Sequence, residues 1–490
     1  MDYPPDCVAW RSRDSLPATD VPPFDWSARP VSARSEPRLE WTRSLDATPP
    51  SDHRIWLRCT TAVRFDERRT IAVTDPHADR HLGEFDLRFS YPCQPFELQL
   101  DRSAVSSVCE GGIGLTQITG STPTWVIAEG PTGDHDQMLT PHLLIAPASV
   151  SDADKERAMT ATMQSAASQQ PFGWMEGCVL DGMLAMATCA DDAADWRAAA
   201  IDHLERYLGP NGDLAIDPGG IESMLMLGAF TDVWPTRSVT DRLLAHTLSQ
   251  KRNDGIIRGG AVTAEGAYTV AYPLMRYAVT RDDPGVGREA IRQLIARVDH
   301  LPVADDLYLR SHEDGSRTFK NWSRAYAWYM LGIARTFRLL AATPDTGDWN
   351  RLRSSVSVER LRGAWDDIND LVIGHRQPAG LWACFTDDPE TGVETSGSAG
   401  IAAAIGHAGL SGLTDRDDAY RIATSTYHEL VEYVTPDGLL TCVAQHNAGG
   451  ESLQRNGYRV IAQYGLGLLT NLRAVIEQFD RDVGADSVRR

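Results

Sequence analysis

The spacing of apolar residues changes once along this chain, near residue 150. Before it, short runs such as Ile55-Trp56-Leu57-Arg58-Cys59, Phe85–Phe89, Phe96–Leu100 and Trp125–Ile127 alternate or run apolar between Pro, Gly, Asp and Ser. That pattern predicts strands, and 51–148 is read as a β domain. Residues 1–50, rich in Pro, Arg, Ser and Asp, are read as an irregular arm over the surface. From Ser149 onward the period becomes helical. A polar, Ala-rich lead-in reaches Gln170, and candidate helices follow from Cys178–Ala190 to Gln463–Gln478.

Polar, Gly-containing turns separate these helices. Four share one form, a polar turn, a Gly, then apolar residues: Gly209–Asp213, Asn253–Ile257, Gln377–Trp382 and Thr435–Leu440. Helices joined as hairpins with such turns at one end predict an (α/α)6 toroid over 149–490. The fold class is therefore α with an N-terminal β domain. The chain has 490 residues, enough for two such domains.

Charge narrows the partners. The formal net charge of -20 argues against nucleic acid and anionic membranes. Lysine occurs only at Lys155, Lys251 and Lys320. No apolar run has the length of a transmembrane helix, and Met1–Asp6 lacks the features of a signal peptide, so a cytoplasmic location is expected. The eight cysteines form no CxxC pair or metal-like cluster, and Cys178, Cys189 and Cys384 read as buried free thiols. No phosphate loop, dinucleotide fingerprint or HExxH motif is present, and no metal or cofactor is expected.

Candidate chemistry lies near the turns. Asp217 and Glu265 each stand just before a helix, where an acid complements the helix dipole or performs acid–base work. Trp174, Trp322, Trp328 and Trp382 lie beside turns or helix starts; such rings either fill a core or stack on sugars. Arg324, one turn before Trp328, is a guanidinium in apolar surroundings that needs a partner, either a structural acid or a bound anion. His312 lies in a polar loop. Glu394–Gly400 caps the following Ala-rich helix.

In order, these pieces resemble the unsaturated glucuronyl and rhamnogalacturonyl hydrolases of glycoside hydrolase families 88 and 105, over about 165–480. Trp322–Trp328 is similar to a W-x-R-x-x-G-W helix start, Val393–Ala399 to an E-[ST]-S-[GA]-S run, and Gly380-Leu381-Trp382 to a G-L-W turn. Glu265-Gly266-Ala267-Tyr268 stands where the family has D-G-L-Y, and His312-Glu313-Asp314 where it has His followed by an acid. Trp174–Gly177 resembles the aromatic first hairpin, and Gly465-Leu466-Gly467 the last helix. Glu265 replaces an Asp, Ala327 replaces a Gly, and Asp217 aligns with a second catalytic Asp only across a one-residue gap.

The resemblance implies hydration of the C4=C5 double bond of a terminal unsaturated uronic acid on an oligosaccharide. Asp217 and Glu265 would face each other as the acid pair. His312 and Arg324 would bind the substrate, and Trp174, Trp322, Trp328 and Trp382 would line the pocket. A polysaccharide lyase, an inverting glycosidase and a non-catalytic sugar-binding protein remain alternatives, and oligomeric state stays open, a homodimer included.

Overall fold

The computed structural model describes residues 2–3, 7–9, 24, 26–33, 37–41, 49–129 and 136–489. Two antiparallel sheets come first. One has the order Asp2–Tyr3, His142–Pro147, His53–Thr60, Pro95–Leu100; the other Cys7–Ala9, Arg38–Glu40, Ile113–Thr119, Arg68–Asp75, Arg80–Arg88. Successive side chains in a strand point to opposite faces, so Ile55 and Leu57 of one sheet meet the core that Ile71, Val73, Phe85 and Leu115 of the other fill. Thr124–Glu129 pairs with Ser27–Val31 beside them.

The arm expected to be irregular is woven into these sheets. Its described parts supply the strands Asp2–Tyr3, Cys7–Ala9, Ser27–Val31 and Arg38–Glu40. Strands this short, in a Pro- and Arg-rich stretch, show no readable period. The rest of the arm lies outside the described residues.

Twelve helices then form six hairpins: α1 (Asp152–Met163), α2 (Trp174–Met186), α3 (Ala193–Glu205), α4 (Leu225–Val233), α5 (Ser238–Ser249), α6 (Tyr272–Thr280), α7 (Pro284–His300), α8 (Ser323–Ala341), α9 (Val356–Gly374), α10 (Thr395–Ser411), α11 (Arg416–Val431) and α12 (Gln463–Arg489). Even-numbered helices pack each on the next, and α12 returns to α2, closing an inner ring; odd-numbered helices surround it. This is the (α/α)6 toroid. Outer helices are amphipathic: α5 turns Val239, Leu243 and Thr247 inward at helical spacing. Inner helices such as α8 and α10 are buried on nearly every face.

The ring closes where α2 and α12 touch through glycine. A Cβ on Gly182 would lie 2.5 Å from the Gly467 carbonyl oxygen, and one on Gly467 2.5 Å from that of Cys178. Only glycine permits that approach.

The shared form of the four turns holds in three dimensions. In each of the four turns the glycine (212, 255, 380, 438) is left-handed, with φ from 77 to 88°. Each donates its N–H to the carbonyl three residues back, while that residue's own N–H returns to the carbonyl four residues ahead. The turn chemistry is thus the same after α3, α5, α9 and α11.

After residue 149 the pattern read as helical throughout, but the loops at the inner helices' N-terminal end also hold short strands. Ala261–Thr263 and Arg317–Lys320 flank Asp306–His312, and two further hairpins involve 383–393 and 443–460. The β domain packs beside them. Gln445 Nε2 donates to Arg88 O at 3.0 Å and Gln94 Oε1 at 3.1 Å, Gln463 Nε2 to Cys93 O at 2.7 Å, and buried Arg58 pairs with Asp437.

Candidate active site

All six inner helices start at the same end of the ring, the mouth. Their positive dipole ends favour anions there. Glu265 sits at this mouth, between strand Ala261–Thr263 and a five-residue π-turn, Ala267–Ala271, that leads into α6. Such π-turns recur at functional sites. Close packing holds the segment. A Cβ on Gly266 would fall 2.1 Å from Arg297 Nη2, and Arg297 is pinned to Ile257 O at 2.9 Å and Gln293 O at 2.8 Å.

Glu265 is partly open at the mouth, yet among the described residues its carboxyl accepts a single hydrogen bond, from Asn447 Nδ2 at 3.1 Å. Burial pushes its pKa up. Arg310 opposes that rise, Glu222 adds to it, and Arg324 and the Asn447 bond pull it back more weakly. An acid poised to carry a proton needs this kind of environment.

Arg310 is the positive charge that acts most strongly on Glu265, and its placement follows from strand geometry. It pairs with Thr263, two residues before Glu265, and His312 pairs with Ala261. Leu307, Leu309 and Ser311 are buried, so Tyr308, Arg310 and His312 share the opposite face. The Arg310 guanidinium lies over the Phe319 ring at 5.4 Å and, among the described residues, has no ion pair or hydrogen-bond partner. Its five donors stay available to a carboxylate.

Arg324 is differently placed. Fully buried, it donates to Ala444 O and Gln445 O at 2.8 Å each and to Tyr464 OH at 3.0 Å. Its guanidinium lies 4.5 Å from the Trp322 ring and 5.7 Å from Trp174. These bonds fix the 444–447 loop that carries Asn447, so Arg324 positions the site rather than gripping a ligand with a free fork. Glu394 does related work. It accepts from Ser396 N at 3.0 Å and Ala444 N at 2.9 Å, capping α10 and tying down the same loop.

The aromatic side chains divide. Trp174 is partly exposed and packs edge-on against Trp328 at 5.7 Å; Trp328 stacks on Tyr268 at 5.7 Å. Trp174 therefore presents a surface at the mouth, with Trp328 buried behind it. Trp322 is fully buried beneath Arg324 and offers no face to a sugar. Trp382 is also buried, donates from Nε1 to Val372 O at 2.7 Å on the outer helix α9, and belongs to the core. Large aromatics beside glycine served packing here, which is what most of them do.

Asp217 stands apart from its expected partner. It is exposed, and its Oδ1 accepts from Gly219 N at 2.9 Å, closing its own turn. The acid that acts on Glu265 is Glu222, in the 3-10 turn Ile221–Met224 before α4. The facing pair of Asp217 and Glu265 is withdrawn. Sequence position alone could not separate the two acids, because both precede the same helix. Glu222, Arg310 and Asn447 were missed as site residues. The alternation Tyr308-Leu309-Arg310-Ser311-His312 was the one available signal for Arg310.

Residues 149–478 match the family model described as Glycosyl Hydrolase Family 88. The chain belongs to glycosyl hydrolase family 88. Solved structures agree on the fold of this family 88 chain. A Salmonella enterica serovar Paratyphi A protein described as a possible member of family GH105 is 14% identical, with a TM-score of 0.57, covering 69% of this chain and 96% of that one. A polysaccharide lyase is also 14% identical (TM-score 0.52; 67% and 97% covered). An unsaturated glucuronyl hydrolase specific for heparin is 12% identical (TM-score 0.50; 68% and 99% covered). No curated protein matches the sequence significantly. Among the described residues of the family 88 chain, no cluster of three or more His, Cys, Asp or Glu could hold a metal ion, and no helix is long and apolar enough to cross a membrane.

Proposed function

We propose that this enzyme hydrates the C4=C5 double bond of a terminal unsaturated uronic acid, with Glu265 as the proton donor. The observation that carries this reading is one juxtaposition. A carboxyl with a raised pKa stands beside an unpartnered guanidinium, at the convergence of six helix N-termini. A uronate supplies both matching groups: a carboxylate for Arg310 and an electron-rich double bond for the acid. Trp174 offers a face for the apolar side of a sugar ring.

The balance of the reaction needs one acid. Protonated Glu265 gives its proton to C4, and positive charge develops at C5 and the ring oxygen. Water adds at C5 and returns a proton to the Glu265 carboxylate. The hemiketal so formed opens, and the neighbouring sugar leaves. Asn447 and Arg324 favour the carboxylate that exists between the two proton transfers, while burial favours the acid that begins the cycle.

The lyase reading needs a free base at the mouth; of the three candidates, two tyrosines are engaged elsewhere, which leaves His312, on the Arg310 face of its strand. Tyr268 donates its hydroxyl to Asp181, and Tyr326 donates to Asn321 Oδ1 at 2.8 Å. The deciding assay follows ultraviolet absorbance. The enzyme should bleach an unsaturated uronyl disaccharide, and Glu265→Gln should lower the rate about 10²–10⁴-fold. A rise in absorbance from intact polymer would replace hydration with elimination, and full activity in Glu265→Gln would remove Glu265 from the chemistry.

A further inference from the structure

A second concentration of charge lies at the opposite end of the toroid, where the inner helices finish. Arg276, Arg335 and Arg338 surround a cavity of about 210 Å³ that Asp232, His407 and Gln478 also line. Arg324 and Arg335 are on the same helix, 11 residues apart, so the two ends are separated by about 16 Å.

Two of the three arginines have acids. Arg276 forms a fork with Asp232, using Nε and Nη2 and leaving Nη1 without a partner among the described residues. Arg335 forms a fork with Asp181 at 2.7 and 2.8 Å. Arg338 has none. It donates from Nη1 to His407 Nδ1 at 2.8 Å and from Nη2 to Gln478 Oε1.

His407 cannot answer that charge, and the reason can be traced atom by atom. Asp181 takes a hydrogen bond from Asn471 Nδ2 at 2.7 Å, which turns the Asn471 carbonyl toward His407. His407 Nε2–H then donates to Asn471 Oδ1 at 2.9 Å, leaving Nδ1 as a lone pair for Arg338. Burial, then Arg335 and Arg338, hold the His407 pKa far below its ordinary value, so the ring stays neutral. Burial and Arg335 likewise pull Arg338 down to about 10. Helix C-termini favour cations, but the cavity still faces one guanidinium more than its carboxylates balance. Arg338 is partly buried, and a charge drawn out of water without a counter-charge is costly.

We propose that this cavity is a binding site for a small oxyanion, a phosphate or a carboxylate, held by Arg338 and the free Nη1 of Arg276. It is separate from the mouth and shares none of its residues. The free Nη1 of Arg276 and the remaining N–H donors of Arg338 can each meet one oxygen of a planar or tetrahedral anion.

Isothermal titration of the full chain tests this, with inorganic phosphate and glucuronate as separate probes at constant ionic strength set by chloride. Wild type should bind phosphate saturably. Arg338→Met should weaken it at least about tenfold, the loss expected for removing a charged donor, and Arg310→Met at the mouth should leave it unchanged. Arg338→Gln, which keeps a polar amide in the cavity without the charge, should behave like Arg338→Met and guards against a folding defect, read by circular dichroism. Glucuronate binding that survives Arg310→Met but fails in Arg338→Gln assigns a sugar carboxylate as the occupant; the same pattern with phosphate alone assigns a free inorganic oxyanion. Equal phosphate binding by wild type and Arg338→Gln, or no saturable binding of either probe, overturns the proposal.

Discussion

Asp181 in the middle of the barrel and Glu265 at its mouth are both acids on or beside inner helices, and their surroundings differ completely. Asp181 accepts from Tyr268, from Tyr272 at 2.9 Å, twice from Arg335 and once from Asn471. Every lone pair has a donor, and a full-charge partner balances it. Glu265 has one amide donor and no ion pair among the described residues. A carboxylate surrounded by donors holds helices together. A carboxyl short of donors, beside an unused guanidinium, is kept ready for something that arrives. Satisfaction of the polar atoms, more than burial, separates the structural acid from the one proposed to react.

Substitutions can break that contrast from either side. The largest stability effect is expected at Asp181. Asp181→Asn leaves Arg335 charged, buried and unpaired, and should cost about 3–5 kcal/mol in chemical denaturation. Glu265→Gln should cost nothing by the same measurement at neutral pH. A folded-state pKa raised above the unfolded value makes the charged acid a liability, one that grows as pH rises from the ordinary carboxylate value through the raised one. Removing the charge removes that liability. If Glu265→Gln destabilises as much as Asp181→Asn, the distinction fails.

Arg310→Lys sharpens the account of the mouth. It keeps the charge but loses the fork, and KM for an unsaturated uronide should rise about tenfold with little change in kcat. A neutral oligosaccharide accepted equally by both forms would show that Arg310 does not read a carboxylate. A smaller effect is expected at Asn447. Its bond favours the ionised acid, so Asn447→Ala should move the falling limb of the pH–rate profile upward.

The legible and illegible parts of the sequence follow from the same physics. Inner helices such as α8 announced themselves through long apolar stretches, and the four glycine turns through a shared left-handed requirement. Glu265 was legible because its Glu-Gly-Ala-Tyr context matched a family motif. Arg324 was noticed as an anomaly in apolar surroundings, and the structure gives it carbonyl partners where an anion was expected. Arg310 escaped because its role depends on a four-stranded sheet whose strands run from two to seven residues, within a stretch dominated by helices. Glu222 went unread because it precedes α4 just as Asp217 does, and which acid turns toward Glu265 is decided by backbone that one sequence does not display. Cys178, Cys189 and Cys384 are buried free thiols, as their apolar neighbours predicted.

The most direct test of the central claim is the pH dependence of kcat on an unsaturated uronyl disaccharide, measured for wild type and Glu222→Gln. If protonated Glu265 starts the reaction, the rate is high on the acid side and falls as pH passes the raised carboxyl pKa. Glu222→Gln removes a negative charge that favours the protonated form, so its limb should lie at lower pH. A rate that instead rises through that range, or a limb that Glu222→Gln leaves in place or moves to higher pH, would contradict Glu265 as the acid.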